Sequence, residues 1–166
     1  MKTLLLIRHA SADYNMAGHD FDRPLNNAGK KEAAIIGNRL KDKNLKPDLW
    51  IASPARRAAD TARPIASALQ YDREKIAWKQ ELYHASLSTY SDITLSADDR
   101  YDCIAIVGHN PAISQFADSL SSFLIDYFPP CCVAAYAISA DSWKRFPAAE
   151  KRLLFLSYPE DGERRR

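Results

Sequence analysis

The chain has 166 residues, a formal net charge of +2 and 46% apolar residues, which predicts one domain with a sizeable core and no field strong enough to imply a nucleic-acid or membrane partner. Its three cysteines, Cys103, Cys131 and Cys132, are odd in number and include an adjacent pair; that is no disulfide framework and points to a reducing, cytoplasmic setting. The apolar run after Lys2 is too short for a signal peptide, and no stretch is long and apolar enough to be expected to cross a membrane.

Residues 3–7 form an unbroken apolar run that stops at Arg8-His9-Ala10-Ser11. Such a run reads as a central strand buried on both faces. Arg8 and His9 would then sit at its carboxyl end, where open α/β sheets bind ligands. An arginine fork pairs phosphate oxygens and an imidazole can attack phosphorus, although a surface Arg-His pair explains the dipeptide taken alone. Residues 14–27 are a polar loop whose charged members are His19, Asp20, Asp22 and Arg23, with His19 expected at a rim. Asn26 or Asn27 is the expected N-cap of a helix with an inward stripe of Ala33, Ile36, Gly37 and Leu40, ending near Lys43 and Asn44.

Residues 48–52 predict a second strand, with Ser53 expected to cap the next helix and Pro54 to open it. Pro64 predicts a kink or break in that helix. Arg56 and Arg57 fall in its first turn, where cations oppose the helix dipole at a cost of up to about 1 kcal/mol; a bound anion would remove the conflict. Residues 75–79 predict a short strand with Ile76 and Trp78 on one face, followed by Glu81, Leu82, Tyr83 and His84, the last at the border of the pocket. Residues 88–97 predict a helix with Tyr90, Ile93 and Thr94 inward. Residues 102–107 are the second strongly apolar run, ending at Gly108-His109-Asn110-Pro111; Gly108 is expected to allow a tight turn and Pro111 to open a helix through Phe116 and Leu120. Residues 131–139 and 152–157 predict the last strands, with an antiparallel edge expected among them and Cys131 and Cys132 as packing residues. The domain is expected over 1–158, and 159–166, with its run of arginines, as a charged solvated tail.

Strands alternating with helices predict an α/β fold, a three-layer α/β/α sandwich whose mostly parallel central sheet carries helices on both faces. If the three strands are neighbours, Arg8 and His9, Arg57, and His109 converge. Two guanidiniums and two imidazoles suit a dianion. No Walker loop or Asp-rich metal pattern competes, and His109, Cys103 and Cys131 lack the paired spacing of a zinc site. No metal and no cofactor is expected.

Arg8-His9-Ala10-Ser11-Ala12-Asp13-Tyr14-Asn15 resembles the R-H-G-E-x-x-W-N signature of the histidine phosphatase superfamily, with its phosphoglycerate mutase-like fold. Ser53-Pro54-Ala55-Arg56-Arg57-Ala58-Ala59-Asp60-Thr61-Ala62 resembles its S-P-x-x-R-A-x-x-T-A element, and Val107-Gly108-His109-Asn110-Pro111 its V-G-H-x-P element. Asp22-Arg23-Pro24-Leu25-Asn26, with Gly29 and Ala33, resembles the segment between the first two. The match runs in order over about two-thirds of the chain, and the small size and the R-H-A and D-x-x-R-P-L-N variants look most like the SixA branch, the phosphohistidine phosphatases.

The resemblance implies roles. His9 matches the nucleophile that becomes phosphohistidine, Arg8 and Arg57 the phosphate-binding arginines, His109 the histidine that stabilises charge in transit, and Asn15 an asparagine that helps hold phosphate. These roles agree with phosphoryl-transfer chemistry, which needs positioning and charge stabilisation, and which a covalent intermediate divides into two easier steps. His9 would need a hydrogen bond from its other ring nitrogen, to a backbone carbonyl, to fix the attacking tautomer. Ala10 replaces the common Gly, so no positive φ is expected there, and Ser11 replaces a common Glu. Glu81 is the candidate general acid, against the alternative of an exposed structural carboxylate; a protonated phosphohistidine leaves neutral imidazole and needs such an acid less. The implied function is a metal-independent phosphatase, with a phosphorylated protein such as a histidine phosphotransfer domain, or a small phosphoester, as substrate. A small-molecule phosphomonoesterase, a phosphoglycerate mutase-like isomerase and a non-catalytic phosphate-binding module are the alternatives.

Overall fold

The computed structural model describes residues 1–14, 17–160 and 162–164. Along the chain lie β1 (Lys2–Arg8), α1 (Asn27–Asp42), β2 (Leu49–Ala52), α2 (Arg56–Ala68), β3 (Ala77–Trp78), α3 (Leu87–Leu95), β4 (Cys103–Gly108), α4 (Ala112–Ser119), β5 (Val133–Ile138), β6 (Lys151–Tyr158) and β7 (Gly162–Arg164). Among the described residues the strands form one sheet in the order β3-β2-β4-β1-β5-β6-β7. β1 pairs parallel with β4, β4 with β2, and β2 with β3. β5 lies antiparallel to both β1 and β6, and β7 antiparallel to β6. Only β5 and β7 therefore run against the other strands, and the sheet is mostly parallel with an antiparallel edge.

β1 is buried on both faces because its apolar run has no polar alternation. Leu4 and Leu6 join one core with Tyr90 and Ile93 of α3 and Ile113 and Phe116 of α4. Leu5 and Ile7 join the other with Ala33, Ile36 and Leu40 of α1 and Ala58, Ala62 and Ile65 of α2. Successive strand side chains point to opposite faces, so one strand feeds both cores. Each fully buried Leu or Ile contributes about 1.5–3 kcal/mol relative to exposure. This is the three-layer α/β/α sandwich that the alternation of elements predicts.

Local chemistry sets the helix ends. Asn26 caps α1, its side chain accepting from the Gly29 N–H at 2.8 Å, and the stripe Ala33, Ile36, Gly37 and Leu40 is buried as its spacing requires. Ser53 does not cap α2. The N-cap is Ala55, Pro54 lies outside the helix, and Arg56 and Arg57 are its first residues. Nor does Pro64 break the helix; α2 runs through it, and Pro64 is exposed, so water can serve the carbonyl that loses its partner. Residues 73–75 form a 3-10 turn rather than the start of a strand, and β3 keeps two residues. The segment expected as a solvated tail contributes β7, paired with Leu156, Ser157 and Tyr158. All three cysteines are free thiols. Among the described residues no helix is long and apolar enough to cross a membrane.

Candidate active site

Because β2, β4 and β1 are neighbours, their carboxyl ends lie side by side. Arg8 ends β1 and His9 follows it, Arg57 is the second residue of α2 beyond β2, and His109 follows β4. The His9 and His109 rings are 5.2 Å apart. Arg57 is 6% and His109 9% exposed. The four residues that the sequence singles out for a dianion thus meet in one place.

Backbone bonds hold His9 from both sides. Its N–H donates to Gly108 at 3.0 Å and its carbonyl accepts from Cys131 at 3.1 Å. The Ala10 N–H donates to Thr61 Oγ1 at 2.9 Å, and Thr61 in turn donates to the Arg57 carbonyl at 2.7 Å. Thr61 therefore ties the turn after β1 to the first turn of α2. Among the described non-glycine residues, positive φ is confined to Asn44, Gln70, His84 and Cys131, so Ala10 fits without strain. Ser11, which stands where the family commonly has Glu, donates through N–H and Oγ to Glu32 of α1 at 2.8 and 2.6 Å.

The tautomers follow from the partners. His9 Nδ1 lies 2.7 Å from the Ala10 carbonyl. A carbonyl only accepts, so Nδ1 carries the proton and Nε2 keeps its lone pair. Burial, aided by the charges of Arg57 and Arg8 against the Ala10 hydrogen bond, pushes the His9 pKa down to about 4. His109 Nε2 lies 2.8 Å from Ser53 Oγ, and that oxygen also accepts the Ala55 N–H at 3.2 Å. The Ser53 hydroxyl can donate its proton to His109 Nε2, and in that tautomer the imidazole proton sits on Nδ1. Burial first, then His9 and Arg57, bring the His109 pKa down to about 3. The His109 N–H donates to the Tyr90 hydroxyl at 3.1 Å. Gly108 serves this contact rather than a positive-φ turn: a Cβ there would lie 2.0 Å from the Tyr90 oxygen.

Among the described residues, five buried side-chain polar atoms lack a partner: Arg8 Nε, Arg57 Nε, His109 Nδ1, Trp50 Nε1 and Ser157 Oγ. Three of the five belong to the residues gathered around His9. Buried unpaired polar atoms are uncommon. Arg8 Nη1 donates to the Phe128 carbonyl at 3.0 Å, and both terminal nitrogens of Arg57 are bound to Asp20. Asp20 also accepts from Arg23 and Tyr83. Burial would raise its pKa, but the hydrogen bonds from Tyr83, Arg23 and Arg57 and the Arg57 charge outweigh that and bring it down to about 2. A cavity of about 400 Å³ opens beside the site, with Arg57, Tyr83, His84, His109, Asn110 and Pro111 among its walls.

The remaining sequence candidates separate. Glu81 sits in the 3-10 turn Gln80–Leu82 with an exposed side chain, and it does not line the cavity. Asn15 lies outside the described residues. His19 is an exposed residue at the start of the 3-10 turn Asp20–Asp22. His84, expected at the border of the pocket, lines the cavity with its ring 4.0 Å from that of Tyr83. Ser53, Thr61, Tyr90, Tyr83 and Asp20 are bonded to the residues of the site or to one another, contacts that the sequence reading does not anticipate. Ser53 and Thr61 fall inside the second motif and could have been questioned there. Nothing in the sequence links Tyr83 to Asp20 across 63 positions.

One buried and one half-buried guanidinium, two imidazoles and an unprotonated Nε2, set at the carboxyl ends of three adjacent strands, define a class: an α/β enzyme whose site suits a tetrahedral anion. The model of the histidine phosphatase superfamily (branch 1) matches residues 4–102, more than half of the chain, and the chain belongs to that superfamily. A structure from Agrobacterium tumefaciens assigned as the phosphohistidine phosphatase SixA is 28% identical, with a TM-score of 0.81 over 95% of this chain and 98% of that one. The protein histidine phosphatase SixA complexed with tungstate, 18% identical, gives 0.80 over 95% and 97%. A mycobacterial glucosyl-3-phosphoglycerate phosphatase, 15% identical, gives 0.65 over 92% and 96%. The last two likenesses are of fold. No curated protein sequence matches the chain.

Proposed function

We propose that the protein is a metal-independent phosphatase that hydrolyses phosphohistidine on another protein through a phosphohistidine intermediate at His9. The observation that carries this reading is the set of orphaned nitrogens, Arg8 Nε, Arg57 Nε and His109 Nδ1, on the residues around a histidine whose Nε2 is left unprotonated. A phosphoryl group would give all three a partner. In the first step the His9 Nε2 lone pair forms the P–N bond while the bond to the leaving group breaks, and the leaving group keeps that electron pair. A protonated phosphohistidine leaves as neutral imidazole. Water then attacks phosphorus, the P–Nε2 bond breaks back to the ring, and inorganic phosphate is released with the water's proton passed to solvent. Arg8, Arg57 and His109 Nδ1–H stabilise the negative charge spread over the equatorial oxygens. The dianion in turn favours protonation of His109, against the burial that keeps it neutral in the free site.

The likeness to structures assigned as phosphohistidine phosphatases supports a phosphorylated protein as substrate. A second reading, a small phosphomonoester as substrate, is favoured by the cavity of about 400 Å³, which is large enough to take one. Brief reaction with a labelled phosphodonor should leave label on His9, stable in base and lost in acid, and His9→Ala should abolish both label and turnover. Label that survives in His9→Ala would end the proposal. With the same enzyme, kcat/KM for a phosphorylated histidine phosphotransfer domain should exceed that for sugar phosphates and phosphoglycerates; a tenfold advantage for a metabolite would transfer the assignment to the small phosphoester.

A further inference from the structure

Asp20 has no part in the chemistry above, yet it is the most heavily bonded carboxylate beside it. It opens the 3-10 turn Asp20–Asp22. Arg57 Nη1 donates to its carbonyl at 2.8 Å and Arg57 Nη2 to its Oδ2 at 3.1 Å. The Tyr83 hydroxyl donates to the same Oδ2 at 2.8 Å, and Arg23 Nε to Oδ1 at 2.8 Å. The carboxylate, 46% exposed, is thus held by α2, by the segment after β3 and by its own loop, and it is ionised at any working pH.

A guanidinium carries five N–H donors in one rigid plane. Fastening an N–H on each terminal nitrogen to Asp20 leaves three, of which the Nε–H and a neighbouring terminal N–H form the side edge that pairs two oxygens of a phosphoryl group at once. The Nε of that edge is buried and without a partner. We propose that Asp20 is a positioning residue for the phosphoryl site: it fixes the Arg57 plane so that the Nε edge faces the reacting phosphorus, and it acts through Arg57 without touching substrate. This rests on the phosphatase reading of the site. Coulomb's law by itself favours the opposite effect, because an anion near a dianion site weakens binding. The two roles differ in sign.

The test compares the full chain with Asp20→Ala and Asp20→Asn, reading KM and kcat on an aryl phosphate, the inhibition constant of orthovanadate and the thermal midpoint. Asp20→Ala should weaken vanadate and raise KM by on the order of 10- to 100-fold, the scale of a misplaced binding group, even though it removes a negative charge. Asp20→Asn keeps one acceptor oxygen and should fall between. In an Arg57→Ala background, Asp20→Ala should weaken vanadate no further. Unchanged or tighter vanadate binding in Asp20→Ala overturns the proposal. So does a loss of turnover at unchanged KM and vanadate affinity that follows the fall in folded fraction. A wild-type protein that neither binds vanadate nor turns over phosphate removes the phosphatase reading itself, a result distinct from either.

Discussion

His9 and His109 are uncharged at neutral pH because taking a charged imidazole out of water costs more than their surroundings return. In the unfolded chain both rings take up protons near the ordinary value of 6.5, whereas in the fold His9 does so at about 4 and His109 at about 3. Between those limits the unfolded state binds more protons, so stability rises with pH across the window and falls as pH drops from about 6.5 toward 3, by on the order of a few kcal/mol for the pair. NMR titration of the ligand-free protein should place the two midpoints well below 6.5, and denaturation at stepped pH should show the loss. Midpoints near 6.5 would mean the rings are solvated. Glu81 illustrates the opposite case, a carboxylate near the site in sequence but exposed and off the cavity wall. Glu81→Gln should leave aryl and alkyl phosphate turnover within about twofold; a selective loss on alkyl esters, whose leaving groups need a proton, would identify it as the acid.

The turn after β4 depends on α3. Tyr90 is fully buried, its hydroxyl accepts the His109 N–H, and it occupies the space that a side chain at position 108 would fill. Gly108→Ala forces a Cβ against that ring, an overpacking cost of about 1–3 kcal/mol, and displaces the His109 backbone. Tyr90→Phe removes the nearest oxygen but leaves the His109 N–H without its acceptor. The double variant should therefore be less destabilised than the sum of the two singles, by more than the roughly 0.5 kcal/mol expected of independent sites. Denaturant melts of the four proteins measure this, and strict additivity would dissociate Gly108 from Tyr90.

Across the whole molecule the charge is nearly balanced, at +2 over 166 residues, so the positive field at the site is local. It comes from Arg8, half-buried, and Arg57, buried, brought together by strand order. With two guanidiniums set against one phosphoryl group, activity should persist in EDTA and be inhibited by vanadate; full loss in EDTA with recovery on adding a divalent ion would show that the arginines do not suffice.

The β1 run, the α1 stripe, the Asn26 cap and the positions of Arg8, His9, Arg57 and His109 were legible in the sequence because each rests on a local rule: apolar periodicity, a capping side chain, or a residue at the end of a buried strand. Ser53 was misread as a cap for the same reason. The local rule was sound, but its hydroxyl is engaged by His109, a partner 56 positions away. Pro64 looked like a break because sequence does not reveal that its face of α2 meets water. Thr61 on Ala10, Asp20 on Arg57 and Tyr83 on Asp20 join segments that share no periodicity. The sequence alone determined which groups stand at the strand ends. Only the tertiary structure, through the strand order that sets β4 between β2 and β1, decided that they face one another, on which nitrogen His9 keeps its proton, and which nitrogens are left without a partner. A burial pattern is written residue by residue along the chain, whereas a hydrogen bond between distant segments exists only once the sheet has closed.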